Sequence, residues 1–213
     1  MSLSPTTKLE AVNTMLTSIG EQPIQNLNDL AGLSDASIAE QILDNVSRAV
    51  QSRGWVFNTD IGIKKEPNQY KEIVLDPSEL RVDTQSLLRE GDKDYVERGR
   101  KLYDRFNNTF KFTSAVKLNI IKLLTFDDLP EPARRYIAIR SARIFHDRVV
   151  GAGELHRFYQ EDEFGAYQAL LEYEGDVADY NIFDNYDVYR VVDRLPHSTF
   201  GLTKNLVDSS ETD

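Results

Sequence analysis

The sequence predicts a mainly α fold with a β insertion, an α+β class. About four helices form a bundle, an antiparallel β meander is inserted between helices 2 and 3, and an extended acidic C-terminal arm follows. Three observations predict it. Apolar residues recur at helical spacing in two separated stretches, the period switches to two between them, and acids crowd the last part of the chain. The organisation this implies is a bundle in two parts, 1–54 and 126–175, a β-rich insertion at 55–125 and an arm at 176–213.

The first helix is expected from about Thr7 to Ile19, with Leu9, Val12, Met15, Leu16 and Ile19 on one stripe. Thr7-Lys8-Leu9-Glu10 has the form of a capping box, and Gly20 is a natural stop. Ser34 or Asp35 can cap a second helix whose Ile38, Ile42, Val46 and Val50 recur every four residues up to Arg53-Gly54.

Strands are then expected at Trp55–Thr59, Ile61–Ile63, Ile73–Leu75, Leu80–Val82, Tyr95–Arg98, Lys101–Asp104, Thr109–Phe112 and Lys117–Leu124. Gly99-Arg100 reads as a two-residue hairpin loop of the II′ type, with glycine at the first central position. Helical period returns after Asp127-Asp128-Leu129-Pro130-Glu131-Pro132, where acids and proline suit a helix start. The third helix should reach about Val150, with Ala138, Ala142, Phe145 and Val149 on one face and Ile137 and Ile144 alongside. A fourth is expected from about Glu154 to Glu174, after the Gly151-Ala152-Gly153 break, carrying Leu155, Phe158, Ala166, Ala169, Leu170 and Tyr173.

Composition bounds the function. A chain of 213 residues buries roughly 70% of its unfolded surface, so a full core is expected. It has no cysteine, which excludes disulfides, thiolate nucleophiles, zinc fingers and iron-sulfur sites. No apolar run approaches the roughly 18 residues of a membrane span, and the opening MSLSPTTKLE lacks a signal-peptide layout, so a soluble, unexported protein is expected. The net charge of −10 argues against a surface made to grip phosphates. From Glu172 onward ten acids face three bases, so −7 of the −10 lies in the last 42 residues.

That arm is not purely polar. Tyr180, Ile182, Phe183, Tyr186 and Tyr189 are interleaved with its acids, which is too apolar for an ordinary entropic tail. It reads either as a flexible terminus with incidental aromatics or as an arm whose aromatics anchor it to another chain.

The chemistry-bearing residues form no recognised catalytic pattern. His146 and His156 lie ten residues apart with Asp147 and Glu154 nearby, which matches no metal-ligand spacing, and no cofactor is expected. There is no G-x-S-x-G elbow, P-loop or dinucleotide glycine signature. The pairs and runs Asp127/Asp128 and Glu161/Asp162/Glu163 are explained as helix-cap and solvated-face residues. An alternative is a polysaccharide hydrolase of the cell envelope using carboxylates such as Asp128 or Glu161. The densest basic stretch is Arg134, Arg135, Arg140, Arg143 and Arg148. At 100° per residue these scatter around the helix, which fits salt bridges within or between subunits better than a phosphate-binding face.

Several segments go further. The opening Pro5 to Asn13 with Ile19-Gly20-Glu21-Gln22-Pro23, then Arg53-Gly54-Trp55-Val56-Phe57-Asn58-Thr59, then Thr125-Phe126-Asp127-Asp128-Leu129-Pro130 and Tyr136 to Ala142, occur in that order. Together, across roughly Thr6 to Tyr173, the chain resembles the tail tubular protein A family, the head-to-tail adaptors of short-tailed phages. The resemblance implies a structural virion protein without enzyme activity, assembled in the host cytoplasm. Twelve copies would form a ring below the portal, carrying the nozzle (tail tubular protein B) and the tail fibres. Genomic DNA would pass through the lumen without specific binding during ejection, and no membrane would be contacted. On this view the arm would reach the portal or a neighbouring adaptor. The helical body would make ring contacts, and the β insertion would face the nozzle and fibres. An acidic balance agrees with DNA that passes without sticking.

Overall fold

In the computed structural model the described residues are 5–29, 34–84, 94–151 and 156–178. One compact unit spans Met1–Val177. A second, Ala178–Asp213, lies outside the described residues apart from its first position.

Helix α1 (Lys8–Ser18) begins where its sequence says it should. The Thr7 hydroxyl accepts the Glu10 N–H at 3.2 Å, and the Glu10 carboxylate accepts the Thr7 N–H at 2.8 Å. It ends in a Schellman motif, with Glu21 N–H on Leu16 O at 3.0 Å, Gly20 N–H on Thr17 O at 3.1 Å, and Gly20 at φ +86°. Helix α2 (Ser34–Gln51) packs beside it, and Lys8 ties the two by reaching Glu40 at 2.8 Å and Asp44 at 2.9 Å. Burial pulls the Lys8 ammonium pKa down, but these two carboxylates outweigh it and the net direction is upward.

The expected strand at Trp55–Thr59 is instead a 3₁₀ turn over Val56–Asn58, with strand β1 (Thr59–Lys65) following. Side-chain hydrogen bonds win over the alternating pattern here. Asn58 Oδ1 accepts the Trp55 N–H at 2.8 Å and curls the backbone, while the Trp55 indole N–H donates to Val50 O at 2.8 Å.

The remaining strands are β2 (Glu79–Thr84), β3 (Tyr95–Arg98), β4 (Lys101–Asp104) and β5 (Val116–Lys122). The mixed α+β class is as expected, but the strand order is not that of a meander. One antiparallel sheet has the order β1-β5-β2, and β3 and β4 form a separate hairpin. The last strand sits in the middle because Leu118, Ile120 and Ile121 are all buried, so the adjacent pair Ile120-Ile121 breaks the alternation and needs cover on both faces. Thr59 pairs with Ile121 and Lys65 with Val116, across an irregularity between Asp60 and Ile63.

The hairpin β3-β4 has the expected bounds and the wrong expected turn. Gly99 and Arg100 both have positive φ, +59° and +62°, which is the signature of type I′ rather than II′. The expected strands at 73–75 and 109–112 are single bridges, Val74 with Lys101 and Thr109 with Asp104. At 73–75 the side-chain alternation holds, since Ile73 and Leu75 are buried and Val74 is exposed.

Helix α3 (Glu131–Val149) follows a 3₁₀ turn at Phe126–Asp128, with Pro132 in its first turn. Its buried stripe is Ala133, Tyr136, Ile137, Ser141, Ala142, Phe145 and His146, rotated from the expected Ala138-Ala142-Phe145-Val149 face. Val149 is 42% exposed. Helix α4 (His156–Ala178) buries Ala166 and Leu170, with Tyr167 against Tyr136 at 5.2 Å between ring centroids, and its expected start at Glu154 lies outside the described residues. The side chains of Leu155 and Phe158 lie outside the described residues.

Two hydrophobic cores result. One joins the four helices with Trp55, Phe126 and Leu129. The other, Ile73, Leu75, Val82, Leu102, Phe112, Leu118 and Ile120, lies inside the insertion. The chain crosses between them twice, and two buried amides fasten the crossings together. Gln51 accepts the Leu124 N–H at 2.8 Å and donates to Leu124 O at 3.1 Å. Asn58 donates to Gln51 O at 2.9 Å and Lys122 O at 2.8 Å. From the bundle side, Glu174 of α4 accepts the Val56 N–H at 2.7 Å.

Candidate protein-binding surface on the helical body

The residues singled out for chemistry fall mostly into structural roles. Asp128 accepts the Thr125 hydroxyl at 2.7 Å, and Asp127 accepts the Lys8 N–H at 3.1 Å, so both act where α1 and α3 begin. Glu161 and Asp162 are exposed on α4. His146 is buried on α3, while the side chains of His156 and His197 lie outside the described residues. Among the described residues no group of three His, Asp or Glu side chains is arranged to hold a metal ion.

The five arginines of α3 divide into two kinds. Arg134 is a backbone clamp: it donates to Leu129 O at 2.6 Å, to Thr6 O at 3.0 Å and to Asp127 O. Glu131 takes the other side of Thr6, with bonds of 2.8 and 2.6 Å, so the segment before α1 is sewn onto the start of α3. Arg143 and Arg140 clasp Glu163 of α4, at 2.5 and 3.8 Å, and Arg143 also reaches Asp147 at 3.3 Å. The hydrogen bond that Arg143 donates to Glu163, against the pull of burial, raises the Arg143 pKa above its ordinary value. Arg140 additionally donates to the Tyr136 hydroxyl at 2.7 Å. Arg135 and Arg148, by contrast, are exposed.

The expected arm anchors Tyr180, Ile182, Phe183, Tyr186 and Tyr189 lie outside the described residues. What the structure adds is a place where a partner chain has something to hold. An open groove of about 160 Å³ runs between α2 and α3, lined by Ile42, Asn45, Val46, Ala49 and Ile144 and flanked by Arg140 and Arg148. Ile38, one turn before Ile42, is 39% exposed on the same side of α2. The reason is geometric. Residues four apart advance 400° around a helix, so the Ile38-Ile42-Val46-Val50 series drifts by 40° per step and cannot keep one heading. Val50 ends in the core and Ile38 outside it. The signal was present in the sequence as an apolar series too wide for a single packed face. Phe164, 65% exposed, and Leu171 add an uncovered apolar pair one heptad apart on α4.

A protein whose exposed apolar and cationic groups lie on rigid helices is equipped to pack against other proteins. Comparison with known proteins agrees. The family model of the tail tubular proteins matches residues 9–180, a span that includes both hydrophobic cores. Tail tubular protein A of Klebsiella phage KP34 is 29% identical over 160 residues, covering 73% of this chain and 81% of that protein. The chain therefore belongs to the tail tubular protein family, the structural proteins of phage tails.

Proposed function

We propose that this protein is the head-to-tail adaptor of its phage. Copies of it, twelve by analogy, form a ring that joins the portal to the nozzle (tail tubular protein B) and the fibres, and DNA passes through the lumen during ejection. The observation that carries this reading is the family match across both cores, from residue 9 to residue 180.

The geometry supports a building-block role. Two cores clamped at their crossings by Gln51 and Asn58 make a stiff subunit, as a ring under packaging pressure requires. A ring of identical wedges uses heterologous contacts, so two unlike faces of the subunit must each be sticky. The groove between α2 and α3 and the uncovered Phe164 and Leu171 of α4 supply apolar area for such faces. In this reading exposed Arg135 and Arg148 serve contacts between subunits, Arg134 and Arg143 act inside one subunit, and Arg140, held by Tyr136 and Glu163, keeps donors for a neighbour. The helical parts 1–54 and 126–175 form the ring wall, the insertion 55–125 faces the nozzle, and the arm 176–213 engages a partner through Tyr180, Ile182, Phe183, Tyr186 and Tyr189.

Native mass spectrometry of the purified chain, alone and with its portal, tests the proposal. A many-copy species formed with the portal is the expected result. A chain that stays monomeric and ignores the portal overturns it.

A further inference from the structure

We propose that the groove between α2 and α3 is the seat of the acidic, aromatic segment 180–193 of a second copy of this chain. The inference rests on the adaptor reading and assigns a receptor to its arm.

The groove specifies its occupant. Ile42, Val46, Ala49 and Ile144 make its lining largely apolar beside Asn45, whose Oδ1 accepts from Arg48 at 3.2 Å, and Arg140 and Arg148 stand two turns apart on α3 with Ile144 between them. Eight residues of helix separate the two cations by about 12 Å along the axis. Arg148 is exposed and makes no hydrogen bond or ion pair among the described residues. Arg140 contacts Tyr136 and Glu163, and a guanidinium with five N–H donors has others to spare. No carboxylate lines the groove. The matching ligand therefore has an apolar side chain between two anions that together span roughly 12 Å.

Segment 180–193 has that composition. Tyr180, Phe183, Tyr186 and Tyr189 recur at every third position, and Asp184 and Asp187 bracket Tyr186. Two residues three apart reach at most about 10 Å between their Cα atoms, and the lengths of the aspartate and arginine side chains cover the rest of the roughly 12 Å span. Tyrosine suits a groove whose floor is apolar and whose rim is wet, because its ring is buried while its hydroxyl stays at the edge. Nucleic acid fits poorly, since the floor offers phosphates nothing. Association also answers a problem of charge. Copies carrying −10 each repel one another, and setting the acidic segment of one on the arginines of the next turns part of that repulsion into attraction. A heterologous contact of this kind repeats around a closed ring with every groove filled.

The test uses full-length chain with a photo-crosslinking benzoylphenylalanine at Ala49, an exposed position, in an equal mixture of ¹⁵N-labelled and unlabelled copies, assembled with the portal and read by tandem mass spectrometry. The expected product joins position 49 of one isotope to residues 180–193 of the other. Arg148→Glu, at an exposed position that folding does not need, is expected to cut that yield about fivefold, the upper end for an exposed ion pair. Asp187→Arg in the same chain is expected to restore it. Cross-links confined to one isotope, links to the portal or to other segments, or an unchanged yield in Arg148→Glu each overturn the inference. Native mass separates the two levels of failure. A many-copy ring without the hybrid link overturns this inference alone, whereas a chain that stays monomeric overturns the adaptor reading with it.

Discussion

Replacing Asn58 by alanine strikes the joint between the two cores. Asn58 is 2% exposed, and its side chain satisfies the Trp55 N–H and the carbonyls of Gln51 and Lys122 at 2.8, 2.9 and 2.8 Å. Alanine strands all three. A buried polar group left without a partner costs about 1–3 kcal/mol, and the Lys122 carbonyl, which is only partly buried, regains some of that from water. The expected loss is therefore about 3–5 kcal/mol, a large part of a typical folding stability of about 5–15 kcal/mol. At about 2–4 °C per kcal/mol for a domain of this size, the melting temperature should fall by about 6–20 °C. The assay has a built-in local probe, because Trp55 is the chain's single tryptophan, is stacked on Phe57 and sits at the joint. Urea unfolding followed by its fluorescence and by far-ultraviolet circular dichroism should show both transitions moving to lower urea. A loss under about 1 kcal/mol by both probes refutes the argument that the amide is a latch. Asn58→Asp is a sharper control: it keeps an acceptor for Trp55 but turns a carboxylate toward two carbonyls, and should be no more stable than the alanine variant at neutral pH.

Three further outcomes are expected. Gly54→Ala should destabilise by about 2 kcal/mol or more in urea titrations, since Gly54 has φ +81° and an added Cβ would lie 2.4 Å from Ile121 Cδ1. Thr7→Ala should cost about 1 kcal/mol, by removal of the hydroxyl half of the α1 capping box. In acid, the hydrogen bond from Lys101 holds the Glu72 carboxyl below its ordinary 4.5, and the Ser78 hydroxyl holds Asp76 below 3.8. A carboxylate with a depressed folded pKa stabilises above its unfolded value and loses that contribution as pH falls through the folded one. Thermal melts should thus hardly change from pH 7 to 5 on account of these two groups and should fall below pH 4.5, with Glu72→Gln flattening part of the decline.

Local signals carried most of the helical fold. The Thr7-Glu10 box, Gly20, the Pro130-Glu131-Pro132 start and the four-residue hairpin strands are written in neighbouring residues, and each lies within a residue or two of its expected place. Strand order was not legible, because which strand sits between two others depends on long-range cover, and only the doubled Ile120-Ile121 hinted that β5 is central. The joint was hidden for another reason. Gln51 and Asn58 look like ordinary polar residues, and their value comes from partners more than 60 residues away. For the binding surface, the arginines were visible as a cluster, but sequence alone could not separate Arg134, Arg140 and Arg143, which are occupied within the chain, from exposed Arg135 and Arg148. The groove itself was readable only by following the drift of the α2 apolar series around the helix.

The pairing of β1 with β5 also bears on how the chain finds its shape. Helices α2 and α3 are separated by nearly 80 residues, and their docking requires closing that whole length. Once Thr59 lies against Ile121, the open path between the helix ends shrinks to roughly a quarter. By the logarithmic law of loop closure this lowers the entropic cost of bringing α2 and α3 together by about 1 kcal/mol. The inserted sheet thus works as a zipper foot for the bundle that surrounds it. Early sheet pairing speeds helix docking, and substitutions that weaken β1 against β5 should slow refolding of the helices even where they touch no helical residue.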